Sequence, residues 1–361
     1  MPERTTAASQ ERITLPAVCD AHLHLRDGAV LGFLARVSAR TCAHAIVMPN
    51  LDPPLRTVAE ALAYGARIRR ALGPDPGFTP HLTLYAHPDL TRTEIAHAAA
   101  EEGISAVKLY PHGVTTQSSS GVRDPLALDD LYGALAEANL PLLVHGEIPD
   151  PTADPFDRER RFLDEILEPL LERHPRLRVT LEHITTREAV VCVRRHAPQL
   201  AATLTPHHLL YDRRALFAGE LRPHLYCRPL LQRDRDREAL LAAATGGEEA
   251  FFLGTDSAPH ERGRKECAAV CAGVFNAPVA LETVTELFAE AGALAHLADF
   301  TSARACRRYS WPHPTRLLTL VRRPWRVPDE LRGDDGGHYV PLRAGETLAW
   351  RVLPDGEGAP T

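Results

Sequence analysis

Four histidines, an aspartate and a lysine stand at the ends of short apolar runs in this chain. They are His22 and His24 in "DAHLHLRDG" (20–28), Lys108 in "ISAVKLYP" (104–111), His145 in "LLVHGE" (142–147), His183 in "LEHITT" (181–186) and Asp256 in "FFLGTDSAPH" (251–260). The H-x-H spacing has its own geometry. Alternate residues of a strand point to the same side, so His22 and His24 face one point. Imidazole is the commonest zinc ligand, and a carboxylate completes such a site. One histidine at a strand end is usually a satisfied polar residue. H-x-H joined by strand-end His, His and Asp points to a metal-dependent hydrolase.

Lys108 is the odd member. The chain has 41 Lys and Arg residues, and only Lys108 and Lys265 are lysine. A cation inside a run of Ile, Val and Leu is costly. A snorkelling lysine at a strand end is the plain reading. The sharper one is that this position needs an amine. Arginine stays protonated, whereas a buried lysine can lose its proton and become a nucleophile. A neutral amine can add carbon dioxide to give a carbamate, a carboxylate on a long stem. Two divalent ions about 3.5–4 Å apart need a bridging anion, and a carbamate between two histidine pairs would serve.

Eight β-rich runs must carry these residues. They cover 13–25, 44–50, 81–87, 104–111, 141–147, 178–185, 201–207 and 250–260. Amphipathic stretches lie between them, including 57–72, 125–140 and 158–174. Eight β/α units in 361 residues predict a (β/α)8 TIM barrel, an α/β fold whose active face lies at the C-terminal strand ends. No glycine-rich phosphate fingerprint follows the first run, which argues against a dinucleotide-binding fold. The chain reads as a single domain over 1–361, with the barrel over about 13–295 and an extension from about 296 that packs on it.

Bulk properties narrow the function. A hydrophobic share of 44% suffices for a large core, and a net charge of −6 with no basic block makes nucleic acid an unlikely partner. The opening "MPERTTAASQER" lacks an apolar signal core, and no apolar run could span a membrane. The expected setting is the cytoplasm, with the seven cysteines reduced.

The motifs "DAHLHLRDG", "MPNLDPP" (48–54), "VKLYPHGVTTQSSSGV" (107–122), "LLVHGE", "LEHITT", "TLTPHHLL" (203–210), "FFLGTDSAPHERGRKE" (251–266) and "CAGVFNAP" (271–278) together resemble the amidohydrolase superfamily. More closely, the chain is similar to the shorter, bacterial single-function dihydroorotases over nearly its whole length. The resemblance implies two zinc ions per subunit. His22, His24 and Asp256 would bind the first, His145 and His183 the second, and carbamylated Lys108 (N6-carboxylysine) would bridge them. It implies that Arg26, Asn50 and His260 hold the substrate carboxylate, with His145 also at the substrate. Backbone groups at Arg228 and Ala272 would meet the ring, and Thr115 and Thr116 would lie on a closing lid. Asp256 would move the proton. The implied reaction is reversible cyclisation of N-carbamoyl-L-aspartate to L-dihydroorotate in pyrimidine (UMP) synthesis, by a homodimer. Where the family has an apolar residue between Cys and Pro of "CRPLL", this chain has Arg228. Lys265, in "RGRKE", is expected to form a structural ion pair. The alternatives are another cyclic amidase, of hydantoinase or allantoinase type, and an inactive structural homologue. Arg26, Asn50, His260 and the threonine pair speak against the first, and the intact metal ligands against the second.

Overall fold

The computed structural model describes residues 11–354 apart from 75, 116, 117 and 119. The run expected as one strand over 13–25 is two. β1 (Arg12–Pro16) stops before Ala17, and β2 (Val18–Leu23) starts after it. β1 leaves the barrel and pairs antiparallel with β10 (Leu317–Arg326), placing Arg12 opposite Val321 and Pro16 opposite Leu317. Hydropathy could not mark the break, because both segments bury apolar side chains.

β2 opens an eight-stranded parallel sheet. It continues through β3 (Cys42–Val47), β4 (Thr79–Tyr85), β5 (Ile104–Leu109) and β6 (Leu142–His145) to β7 (Val179–Glu182), β8 (Leu200–Leu204) and β9 (Phe251–Leu253), in chain order. A parallel bridge from Leu23 to Ser257 closes the ring. At this seam the His24 amide donates to Ser257 O at 3.0 Å, and the Asp256 amide donates to His22 O at 2.8 Å. Three metal-type residues, His22, His24 and Asp256, thus sit on backbone that is stitched together directly.

Alternate residues of the strands enter different cores, as the period of two requires. Val107, Leu109, Leu142 and Val144 pack outward in the main cluster with the surrounding helices. Ala106, Leu143, Ala201 and Phe252 fill the barrel interior. The inward face of β5 therefore runs from Ala106 to Lys108, and that of β6 from Leu143 to His145. Burying a side chain such as Phe252 in full contributes roughly 1.5–3 kcal/mol. Ala305, Cys306, Tyr309 and Trp311 join the same interior cluster, so the helix Arg304–Tyr309 and the residues after it plug the N-terminal end. Only the C-terminal end stays open.

The helices follow the sequence pattern closely. Val58–Leu72 is capped by Thr57, whose side chain and that of Glu60 form a capping box, and it buries Val58, Ala61, Tyr64, Gly65 and Ile68. The stretch expected as one helix over 158–174 carries a π-helical turn, Leu163–Leu167, between Arg158–Phe162 and Glu168–Arg173. Pro169 explains it, since proline lacks the N–H and crowds the carbonyl four residues back. Beyond β10, a small ribbon of β11 (Leu331–Arg332) and β12 (His338–Tyr339) precedes β13 (Thr347–Val352). β13 pairs with β10, making a three-stranded sheet in the order β1-β10-β13. No helix among the described residues is long and apolar enough to cross a membrane.

Candidate metal centre and substrate pocket

The H-x-H geometry is realised. His22 Nε2 lies 3.2 Å from His24 Nε2, and Asp256 Oδ1 lies 3.3 Å from the first and 3.2 Å from the second. Two imidazole nitrogens and one carboxylate oxygen thus converge on one buried point. Such a donor set suits a cation better than hydrogen bonding alone.

A second group faces it. The His145 and His183 rings stack edge-on at 4.7 Å, and His183 lies 5.1 Å from the His22 ring. Lys108, wholly buried on the inward face of β5, donates to Glu182. Glu182 ends β7 pointing inward, so strand alternation alone would turn His183 outward. The backbone corrects this. His183 has φ +44°, Asp256 +45° and Arg26 +55°. Non-glycine residues rarely adopt the left-handed region, and such positions cluster at functional sites. Here each one follows a barrel strand and turns its side chain back over the mouth.

Electrostatics keep most of the histidines neutral. Burial takes His24 down to about 4 and lowers His145 against the pull of Glu147. Burial, followed by the neighbouring His145, holds His183 well below its ordinary value. His22 differs: burial pulls it down, but the Glu182 and Asp256 carboxylates outweigh that and raise it to about 9. Burial works against the Asp256 charge, yet His22, His24 and His183 hold it well below the carboxylate range. Burial lowers Lys108, opposed by Glu182.

Two carboxylates escaped the sequence reading. Glu147 Oε2 lies 2.7 Å from His145 Nε2, and Glu182 Oε1 lies 3.0 Å from His22 Nδ1. Glu147 shares a hydrogen bond with His145, and Glu182 sits beside His22 Nδ1 as a charge partner while His22 Nε2 faces His24 and Asp256. Histidine ligands commonly carry such a carboxylate partner. The signal was present in "HGE" and "EH", a glutamate within two residues of a candidate ligand. A third buried acid, Asp20, ties the seam by accepting from the His22 amide at 3.1 Å, the Thr255 amide at 2.8 Å and the Thr255 hydroxyl at 2.6 Å.

A small, partly open cavity lies above the centre. Its walls include Arg26, Asn50, Tyr110, Thr115, Arg228 and Ala272. Arg26 Nε donates to Pro259 O at 3.1 Å, and Arg26 Nη2 lies 3.1 Å from His260 Nε2. The same His260 nitrogen lies 3.0 Å from Ala272 O, and a neutral ring can serve one of these partners at a time. Burial, then Arg26, holds His260 down to about 2. Thr115 lies on a tightly folded loop, its carbonyl accepting from Ser118 Oγ at 2.6 Å. Thr116 lies outside the described residues.

Lys265 makes no ion pair among the described residues, contrary to expectation. Its buried ammonium donates to Tyr226 O at 2.9 Å, Cys271 O at 2.9 Å and Gly273 O at 2.7 Å. It clamps together the two backbone segments that bring Arg228 and Ala272 to the cavity. Gly273, at φ +147°, lies so close to Ala258 that a Cβ there would strike its carbonyl oxygen. His207 and His208 are buried in the short helix Pro206–Leu210 after β8, where His208 bridges Thr205 Oγ1 at 2.8 Å and Pro229 O at 3.1 Å.

The barrel and its ring of histidines, aspartate and lysine define the amidohydrolase class, and residues 51–204 match the amidohydrolase family. The narrower family follows from whole-chain likeness. A dihydroorotase of Halorhodospira halophila is 50% identical over 342 residues, covering 95% of this chain and 99% of that protein. The crystal structure of a dihydroorotase from Campylobacter jejuni superposes with a TM-score of 0.88 at 36% identity, covering 97% of this chain and 100% of the other. The dihydroorotase of Saccharomyces cerevisiae, solved in complex with 5-fluoroorotic acid, gives 0.88 at 31% identity, covering 95% and 98%. The chain belongs to the dihydroorotase family.

Proposed function

We propose that this protein interconverts N-carbamoyl-L-aspartate and L-dihydroorotate at a two-zinc centre bridged by carbamylated Lys108. The observation that supports the reading is the convergence of His22 Nε2, His24 Nε2 and Asp256 Oδ1 beside the His145–His183 pair, with Lys108 buried on the inward face of β5 against Glu182. The donor set fits zinc: imidazole nitrogens, one ionised carboxylate, and carboxylates beside the other nitrogens of His22 and His145. His183 Nδ1 is buried without a hydrogen-bond partner among the described residues, which also suits a ligand. His22, His24 and Asp256 would hold one ion, His145 and His183 the other, and Lys108 both. When bound, the zinc pair supplies Lewis-acid polarisation of the reacting carbonyl and acidifies water at neutral pH.

The protein groups do the rest. Arg26, with Asn50 and His260, grips the α-carboxylate, and the guanidinium fork suits that planar group. In cyclisation the ureido nitrogen bonds to the β-carboxylate carbon, a C–O bond breaks, and the oxygen leaves as hydroxide that takes one proton from solvent to become water. Ionised Asp256 takes the proton from nitrogen and passes it to the departing oxygen. In hydrolysis water adds to the ring carbonyl, the C–N bond breaks, and Asp256 returns the proton to nitrogen. Backbone at Arg228 and Ala272 meets the ring, and Thr115 with Thr116 closes over it to exclude water. A cytoplasmic homodimer acting in pyrimidine synthesis completes the reading.

The test is turnover of L-dihydroorotate, hydantoin and allantoin by purified protein, with zinc content measured on the same sample. Dihydroorotate should be strongly preferred, with two zinc ions per chain. Preferred hydrolysis of hydantoin, or no turnover by fully loaded protein, refutes it.

A further inference from the structure

Arg228 lines the cavity together with His145, His183, Asp256 and Thr115. Nε donates to the Tyr226 hydroxyl at 3.1 Å, and the guanidinium carbon lies 5.9 Å from the Tyr226 ring centroid. Nη1 is buried and has no hydrogen-bond partner among the described residues. A buried guanidinium donor without an acceptor is costly, so its position calls for an oxygen from elsewhere. The Lys265 clamp on Tyr226 O holds this segment against the Cys271–Gly273 segment. The side chain therefore stands on supported backbone.

We propose that the Arg228 side chain is a specificity-determining contact: Nη1 donates to an oxygen of the bound anion, making a second cationic anchor besides Arg26. This rests on the function proposed above. The open-chain substrate carries two carboxylates and the cyclic one carries one. A second fixed cation favours the dianion more, so Arg228 tightens binding of N-carbamoyl-L-aspartate above that of L-dihydroorotate. The competing role is a counter-ion to Glu147, whose Oε1 is also buried without a hydrogen-bond partner among the described residues. That role would act through His145 and would show in zinc content.

The test uses zinc-loaded wild type, Arg228→Leu and Arg228→Lys. It measures KM and kcat in both directions, zinc per chain, and the Kd of 5-fluoroorotate by calorimetry. Arg228→Leu should raise KM for N-carbamoyl-L-aspartate at least about tenfold, the scale of one hydrogen bond to a charged group. KM for dihydroorotate should rise less, kcat should stay within about threefold, zinc should not change, and lysine should recover part of the loss. Unchanged KM values in a folded, loaded leucine variant overturn the proposal. So does loss of zinc with unchanged 5-fluoroorotate affinity. If the leucine variant does not fold, Arg228→Gln replaces it, keeping a polar donor without the charge, and the same outcomes apply. Wild type that turns over neither substrate defeats the proposed function; the 5-fluoroorotate Kd then still decides whether Arg228 anchors an anion.

Discussion

Replacing Lys265 tests how the substrate-facing backbone is held. The ammonium has three N–H donors, and three carbonyl oxygens at 2.7–2.9 Å use all of them. Methionine keeps most of the length and none of the donors. Tyr226 O keeps the Gly273 amide as a donor at 2.9 Å, so two carbonyls are left unpaired; at about 1–3 kcal/mol each they cost roughly 2–6 kcal/mol. Against this stands the burial of the charge. It takes Lys265 from the ordinary 10.5 to about 8. At about 1.4 kcal/mol for each tenfold in proton affinity, removing the ammonium returns roughly 3 kcal/mol. The balance runs from a gain of roughly 1 to a loss of roughly 3 kcal/mol, centred on a loss near 1, against the 5–15 typical of a folded domain. The damage should stay local. Lys265 contacts no metal-site residue, while Cys271 and Gly273 flank Ala272, and Tyr226 stands two residues before Arg228. Lys265→Met should therefore lower the urea midpoint and raise KM, with zinc content unchanged. Lys265→Arg is the sharper variant. It keeps the charge, but a planar fork cannot aim three N–H groups from one nitrogen at a tripod of carbonyls. The assays are urea denaturation, metal analysis and Michaelis kinetics with dihydroorotate. An arginine variant with wild-type stability and KM would refute the tripod argument. A methionine variant that loses stability at unchanged KM would sever the clamp from the pocket.

Lys108→Arg should lose zinc and activity despite keeping its charge, and Lys108→Ala should regain some activity when a short carboxylic acid is supplied; full activity in the arginine variant contradicts the carbamate bridge. Asp256→Asn should lower turnover by at least about 10²-fold, the scale of lost general acid–base catalysis, and a variant with bound zinc and wild-type kcat removes Asp256 from the proton path. Thr115→Ala combined with Thr116→Ala should cut kcat while leaving zinc content and thermal stability nearly unchanged; unaltered kinetics would make the segment an ordinary loop.

Much of the fold was legible because barrel strands obey a strong rule. Interior and exterior residues alternate, and both faces are apolar, so eight continuous β-rich runs stand out between amphipathic segments. The polar residues that interrupt those runs at their C-terminal ends had to lie on one rim, which located His22, His24, Lys108, His145, His183 and Asp256. Where one strand yields to another without a change in polarity, the same rule is silent. β1 and β2 read as a single run because each buries apolar side chains in a different place. Lys265 was visible as a rare residue, but its partners are backbone carbonyls, which every residue has. No side-chain pattern could name them.

The pair Glu182–His183 shows where a closer reading was possible. Consecutive strand residues face opposite ways. A glutamate and a histidine side by side at a strand end can therefore both reach a barrel mouth only if the backbone turns between them. The turn is the positive φ of His183, which brings its ring to 4.7 Å from His145 while Glu182 stays inward beside Lys108. The left-handed conformation costs roughly 1–2 kcal/mol per residue, and Arg26 and Asp256 adopt it too. Three such residues at one rim, each within three residues of a strand end, mean that the fold gives up stability there to bring more polar side chains to one mouth than alternation permits. An "EH" or "TD" step at the end of an apolar run is thus itself a signal. It marks a place where the chain must leave the strand, and the second residue of the step is the one to test as a ligand.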